Sequence, residues 1–166
     1  MAEAGQQLLR SIVEGSAGSH FPIQNLPFGA FRRRGSPPQA PRPGVAIGYF
    51  ALDLSTVADT SLFNGPALSG SSCFHQETLN MFLAMGRPVW REARATLLKI
   101  LSADETVLRD NEVLMNKCLI PMSDIEMALP ITVVGYTDFF CSVHHARNCG
   151  FIFRGPHTPV NPHWFY

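Results

Sequence analysis

Charge is scarce in this 166-residue chain: 16% of its residues are charged, against about a quarter in an average soluble domain. The 13 basic and 13 acidic residues cancel. Without a basic stripe to neutralise phosphates, nucleic acid is not an expected partner. Arg32-Arg33-Arg34 is the local exception, and the following Gly35-Ser36-Pro37-Pro38 marks it as a solvated loop. Long apolar runs are missing too, so no segment has the length of a membrane span and no membrane partner is expected. Residues 1–16, MAEAGQQLLRSIVEGS, set Glu3 and Glu14 against Arg10 and contain no apolar core. That pattern suits neither a secretory signal nor an Arg-rich transit peptide. The cysteines at 73, 118, 141 and 149 form no tight framework. They read as reduced thiols in a cytoplasmic protein.

What is present suffices for a core. Hydrophobic residues make up 46% of the chain, and the length fits one domain, or one domain and a piece of another. Residues 6–13 suit a short helix, and Gly15 to His20 loosen the chain again, so residues 1–20 read as a flexible N-terminal extension. Phe21 to Phe31 reads as an extended segment along a core, and the Pro-rich stretch from Arg32 to Pro43 as a loop. Val45 to Leu54 reads as two short strands meeting near Gly48. Asp53 there suits a local cap and receives no catalytic role.

From Gln76 the apolar period becomes helical. Leu79, Phe82 and Leu83 share a face of a short helix ended by Gly86. Pro88 suits the first turn of the next helix, whose buried face is Ala93, Leu97, Ile100 and Leu101. Residues 105–117 suit a further helix with Val107, Leu108, Leu114 and Met115 inward. Met81, Met85 and Met115 read as core fillers. Ile120 to Pro130 reads as a connector ending at a domain boundary, and Ile131 to Val134 as a strand.

Beyond that boundary, VVGYTDFFCSVHHARNCGFIFR (133–154) gathers Asp138, Cys141, His144, His145, Cys149 and Arg154 among aromatics. Titratable groups lined by aromatic rings are the usual composition of an active site. The bland alternative is a set of satisfied core residues. A second alternative is a tetrahedral zinc shell of Cys141, His144, His145 and Cys149, although C-x2-H-H-x3-C matches no standard framework.

The wording of this stretch, from Tyr136-Thr137-Asp138-Phe139-Phe140 to Phe153-Arg154, resembles the opening of the catalytic domain in the fumarylacetoacetase family. Phe21 to Gly29 resembles that family's entry motif. Gly44 to Gly48 with Leu52-Asp53-Leu54 resembles its first hairpin. Thr78-Leu79-Asn80, Trp90-Arg91-Glu92-Ala93-Arg94 and Asn161-Pro162-His163-Trp164 follow in the same order. The pattern departs at Gly135-Tyr136, where the family usually has an intervening Asp.

The resemblance implies a mixed, mainly β fold with helices. Residues 21–130 would be a small SH3-like β-barrel domain with added helices, and residues 131–166 the truncated start of a β-rich catalytic domain. It implies a hydrolase that cleaves a C–C bond of fumarylacetoacetate, giving fumarate and acetoacetate at the last step of tyrosine and phenylalanine breakdown. Residue by residue, it implies His145 as the catalytic base, for which an imidazole's pKa is apt. It implies Asp138 as a ligand of the family's calcium, Arg154 as the fork that holds a substrate carboxylate, and Phe140 at a substrate-binding position. Magnesium is the family's second cation, and its members are homodimers. His144 matches no family role. One carboxylate cannot hold calcium, which takes about six to eight oxygens. A lone chain of this length is therefore expected to be inactive, or to dock on a full-length enzyme as a non-catalytic interaction module.

Overall fold

The computed structural model describes residues 9–165. The chain divides into two units, residues 1–132 and residues 133–166.

In the first unit, β1 (Phe28–Arg33), β2 (Arg42–Ile47), β3 (Phe50–Asp53), β4 (Leu119–Pro121) and β5 (Ile125–Ala128) form one antiparallel sheet. Their order is β4-β3-β2-β1-β5. Because β1 pairs with both β2 and β5, residues far apart in the chain close onto one strand. The helices α1 (Leu54–Asp59), α2 (Asn80–Ala84), α3 (Arg87–Ile100) and α4 (Glu112–Cys118) all lie between β3 and β4 in the chain. The resemblance implied a mixed, mainly β fold with helices, and the unit is mixed, an antiparallel sheet with several helices.

The hairpin at 42–53 is locally encoded. Gly48 takes φ 58° in the turn, a left-handed conformation that costs glycine little. Side chains then alternate between the two sheet faces. Val45, Ile47 and Leu52 face the main core with Leu54, Val57, Phe74, Leu97, Leu101 and Leu108. Phe31, Ala51, Ile120 and Ile125 form a smaller cluster. The Phe31 ring occupies the space that a Cβ on residue 44 would need, so Gly44 is required there. Aromatic rings run through the main core, with Phe28–Phe82 at 5.2 Å, Phe82–Phe74 at 5.1 Å and Phe74–Phe63 at 4.8 Å between centroids.

Helix α3 carries its proline in the first turn and buries Ala93, Leu97 and Ile100, with Leu101 as its C-cap. Its motif residues tie neighbouring segments to it. The Trp90 indole donates to the Phe82 carbonyl at 2.9 Å. The Glu92 carboxylate accepts from the Ala67 and Leu68 amides at 3.0 and 2.9 Å. Arg94 donates to the Gln24 carbonyl at 2.7 Å. Asn80 pairs with both backbone groups of Thr132, at 2.8 and 2.9 Å, as a neighbouring strand would. Asp53 caps α1, accepting from Ser55 N at 3.1 Å and Thr56 N at 3.3 Å. Its other oxygen accepts from Arg42 at 3.2 Å. A buried carboxylate is tolerated because it is bonded on both oxygens.

Several expectations need correction. The connector expected at 120–130 contains β4, a 3-10 turn at Met122–Asp124, and β5. These runs are too short to signal strands alone, and tertiary pairing decides them. Arg32 and Arg33 belong to β1, and Arg42 and Pro43 to β2, so the loop is shorter than its proline content suggested. Leu83, Met81 and Val107 are exposed; Leu79, Phe82 and Leu108 are buried as expected. The helix read at 105–117 is confined to α4, whose N-cap Asn111 accepts from Leu114 N at 3.0 Å. Of the helix read at 6–13, residues 6–8 lie outside the described residues, and residues 9–13 are not helical. Ser11 there bridges Ser102, and Val13 is buried.

Ile131 to Val134, which runs across the division between the units, forms no strand. Val133 and Val134 are exposed. A strand is stabilised by cross-strand partners rather than by its own propensity. The second unit's regular elements are α5 (Val143–Arg154) and a 3-10 turn at Pro162–Phe165. No strand occurs among its described residues, so the β-rich character implied for this region is absent from them.

Candidate active site

All four residues implied by the resemblance fall in the second unit, and its local structure brings three of them into sequence. Asp138 opens the arrangement. Its Oδ1 accepts from the Phe140 amide at 2.7 Å and its Oδ2 from the Tyr136 hydroxyl at 3.2 Å. The carboxylate holds the Tyr136 phenol proton and raises that group's pKa above its ordinary value. The turn closed by Asp138 puts Phe140 at φ 50°. Bulky residues rarely adopt this left-handed region, and doing so costs roughly 1–2 kcal/mol.

Ser142 then caps α5, its hydroxyl accepting from His145 N at 3.4 Å. This places His145 in the first turn of the helix. The Phe140 ring stacks on the His145 imidazole, with centroids 5.2 Å apart and planes 17° apart. The Trp164 ring lies tilted to Phe140, with centroids 6.4 Å apart. One turn along α5, Cys149 Sγ lies 3.8 Å from His145 Nδ1 and 3.9 Å from Nε2. A cavity of about 140 Å³ lies among Phe140, Cys149, Phe153, Arg154, Val160 and Trp164.

Arg154 sits at the other end of α5. Its Nη2 donates to the Pro159 carbonyl at 2.7 Å and its Nε to the Thr158 carbonyl at 3.4 Å. In this arrangement the guanidinium secures the loop after the helix. Gly150 is needed at the same contact, because a Cβ there would collide with the Pro159 carbonyl. His144 is exposed.

A calcium or magnesium ion asks for an oxygen-rich cage. Asp138 is one carboxylate, and both its oxygens accept bonds within its own turn. No group of three or more His, Cys, Asp or Glu side chains is placed to hold a metal among the described residues. The residues described do not fit the ion by themselves. The zinc shell fares no better, since of its four candidates only His145 and Cys149 come together. All four cysteines are free thiols. The sequence reading missed Tyr136, Ser142 and the Cys149–His145 contact. The last was legible as an i, i+4 spacing once a helix was assigned there.

Comparison with known proteins defines first the class of the front unit. Residues 24–130 match the family described as "Fumarylacetoacetase N-terminal". The likeness runs on through the second unit. A protein named fumarylacetoacetase from Oryza sativa subsp. japonica is 76% identical over 166 residues, covering 99% of this chain. One from Arabidopsis thaliana is 52% identical over 158 residues, covering 95% of this chain, and one from Homo sapiens 42% over 157 residues, covering 94%. The chain belongs to the fumarylacetoacetase family. It spans 39%, 37% and 36% of the length of these three relatives, respectively. No helix among the described residues is long and apolar enough to cross a membrane.

Proposed function

We propose that this chain supplies the N-terminal domain and the base-bearing segment of a cytoplasmic hydrolase that splits fumarylacetoacetate into fumarate and acetoacetate. The observation that carries this reading is His145. It stands in the first turn of α5 against the Phe140 ring, within a stretch shared with relatives that carry the name fumarylacetoacetase. In the proposed reaction the imidazole takes a proton from water. The oxygen then adds to a ketone carbonyl, and the C–C bond beside it breaks. Its electron pair leaves on the acetoacetate carbon, which takes up a proton, while the other half departs as fumarate. An imidazole suits the base because its pKa lies near neutral pH. Phe140 fixes the ring's plane, and Asp138 fixes Phe140 through its amide. Arg154 is the group offered to a substrate carboxylate. In that role it would exchange its two carbonyl contacts for a bidentate ion pair, which is the stronger interaction.

The test is a chimaera in which these 166 residues replace the aligned stretch of the rice fumarylacetoacetase. The chimaera is expected to hydrolyse fumarylacetoacetate. His145→Ala should then lower kcat by roughly 100-fold or more with KM nearly unchanged. Arg154→Lys keeps the charge and loses the fork, so KM should rise more than kcat falls. A chimaera that folds and turns over equally well with His145→Ala overturns the assignment.

A further inference from the structure

The contact between Cys149 and His145 is not used by the hydrolysis proposed above. The two side chains stand one helical turn apart on α5, the spacing that places residues on one face. The sulfur is almost equidistant from the two ring nitrogens, at 3.8 and 3.9 Å. The sulfur therefore lies off the in-plane lone pair of each nitrogen, and a turn of the imidazole brings one of them to face the thiol and receive its proton. Phe140 covers a face of the same ring. Cys149 is one of the residues that line the cavity of about 140 Å³, enough for a molecule of a few heavy atoms, since one water takes about 30 Å³. Cys149 is half-buried, so its sulfur is reachable. The protein's other thiols differ. Cys73 and Cys118 are buried, with thiol pKa values raised mainly by desolvation, which makes them inert. Cys141 is exposed on the irregular stretch before α5.

We infer that Cys149 and His145 form a nucleophilic thiol–imidazole pair that adds to electron-poor alkenes, those whose C=C bond is conjugated to a carbonyl. The thiolate is the reactive form of cysteine, and a neighbouring imidazole that accepts the proton supplies it. In the addition, the imidazole takes the thiol proton and sulfur bonds to the β-carbon. The π pair moves to the α-carbon, which takes the proton back from the imidazolium. One C=C π bond and one S–H bond are lost, and one C–S and one C–H bond are gained. No oxidant or further reactant is needed. The choice of alkene rests on the proposed function, because a fumaryl group is a C=C bond with carbonyl carbon at both ends. An adduct at Cys149 stands against His145 and Phe140, and so blocks the ring on which hydrolysis depends.

The experiment exposes the purified 166-residue protein to dimethyl fumarate and follows each cysteine by peptide mass spectrometry. The succinyl-type thioether should form at Cys149 about fivefold faster than at Cys141. His145→Gln should bring Cys149 down to the Cys141 rate or below, whereas His144→Gln should leave it unchanged. The inference is overturned if Cys141 reacts as fast as Cys149 in the unaltered protein, a comparison that needs no variant. It is equally overturned if His145→Gln leaves the Cys149 rate as it was. Failure here leaves turnover by the rice chimaera as it stands, and an inactive chimaera leaves the labelling ratio as it stands.

Discussion

The two units answer the same problem in opposite ways. Residues up to Thr132 bury a continuous apolar core and use their polar side chains to fasten backbone. Residues from Val133 onward bury little beyond Ala146 and Gly150 and keep their titratable groups at the surface. Phe74, Leu97 and Asp53 are almost wholly buried, whereas Tyr136, Ile152 and Phe153 are exposed. The motifs of the front unit turn out to be structural. Trp90, Glu92, Arg94 and Asn80 each satisfy a main-chain group of another segment. In the second unit the same kind of bonding, from Asp138 and Ser142, sets up the Phe140–His145 stack. Side-chain to main-chain bonds thus fasten the core in one unit and arrange the candidate site in the other.

The contrast is sharpest in the core. Phe74→Ala removes a ring packed between Phe63 and Phe82 and should destabilise the first unit by about 3–5 kcal/mol in denaturant unfolding. Val134→Ser, on an exposed residue of the second unit, should stay within about 0.5 kcal/mol. Comparable losses for the two would break the division. Next in size, Asp53→Ala strips α1 of its cap and leaves Arg42 without its carboxylate. A loss of about 2–4 kcal/mol is expected in the same measurement.

Alkaline pH probes burial directly. Burial, helped by the negative charge of Asp53, pushes the Cys118 thiol up to about 11 from 9.0. Below pH 9 both folded and unfolded chains hold the proton, and stability does not depend on this group. Between pH 9 and 11 the unfolded chain releases it first, so stability falls as pH rises, by roughly 2 kcal/mol in all. Denaturation midpoints across that window should fall in the unaltered protein and flatten in Cys118→Ala. An unchanged slope in the variant would show that the first unit does not shield this thiol.

The smallest effect concerns the second unit alone. Gly150→Ala forces α5 away from the Pro159 carbonyl, a clash expected to cost about 1–2 kcal/mol locally. Limited proteolysis should cut within the irregular stretch 133–142, and faster in this variant, while the melting of the first unit stays the same. Cleavage instead between β4 and β5 would mean that the units do not divide at Thr132.

Much of this was legible in the residues themselves. The hairpin around Gly48, the apolar face of α3, the cap role open to Asp53 and the family wording of 136–154 all depend on neighbours within a few positions. Local sequence determines them because dihedral preference, helical spacing and capping act over one or two turns. The pairing of β1 with β5, the strand character of 119–128 and the loss of strand character at 131–134 were decided by tertiary structure. A short apolar run becomes a strand only where another edge supplies its hydrogen bonds, and that edge lies far away in the chain. The site divides along the same line. The family resemblance pointed to Asp138, Phe140, His145 and Arg154, but which groups touch was settled by the turn at Asp138 and the helix that Ser142 begins. Those fix directions in space, and so they set His145 against Phe140 and Cys149 while turning Arg154 toward the Thr158 and Pro159 carbonyls.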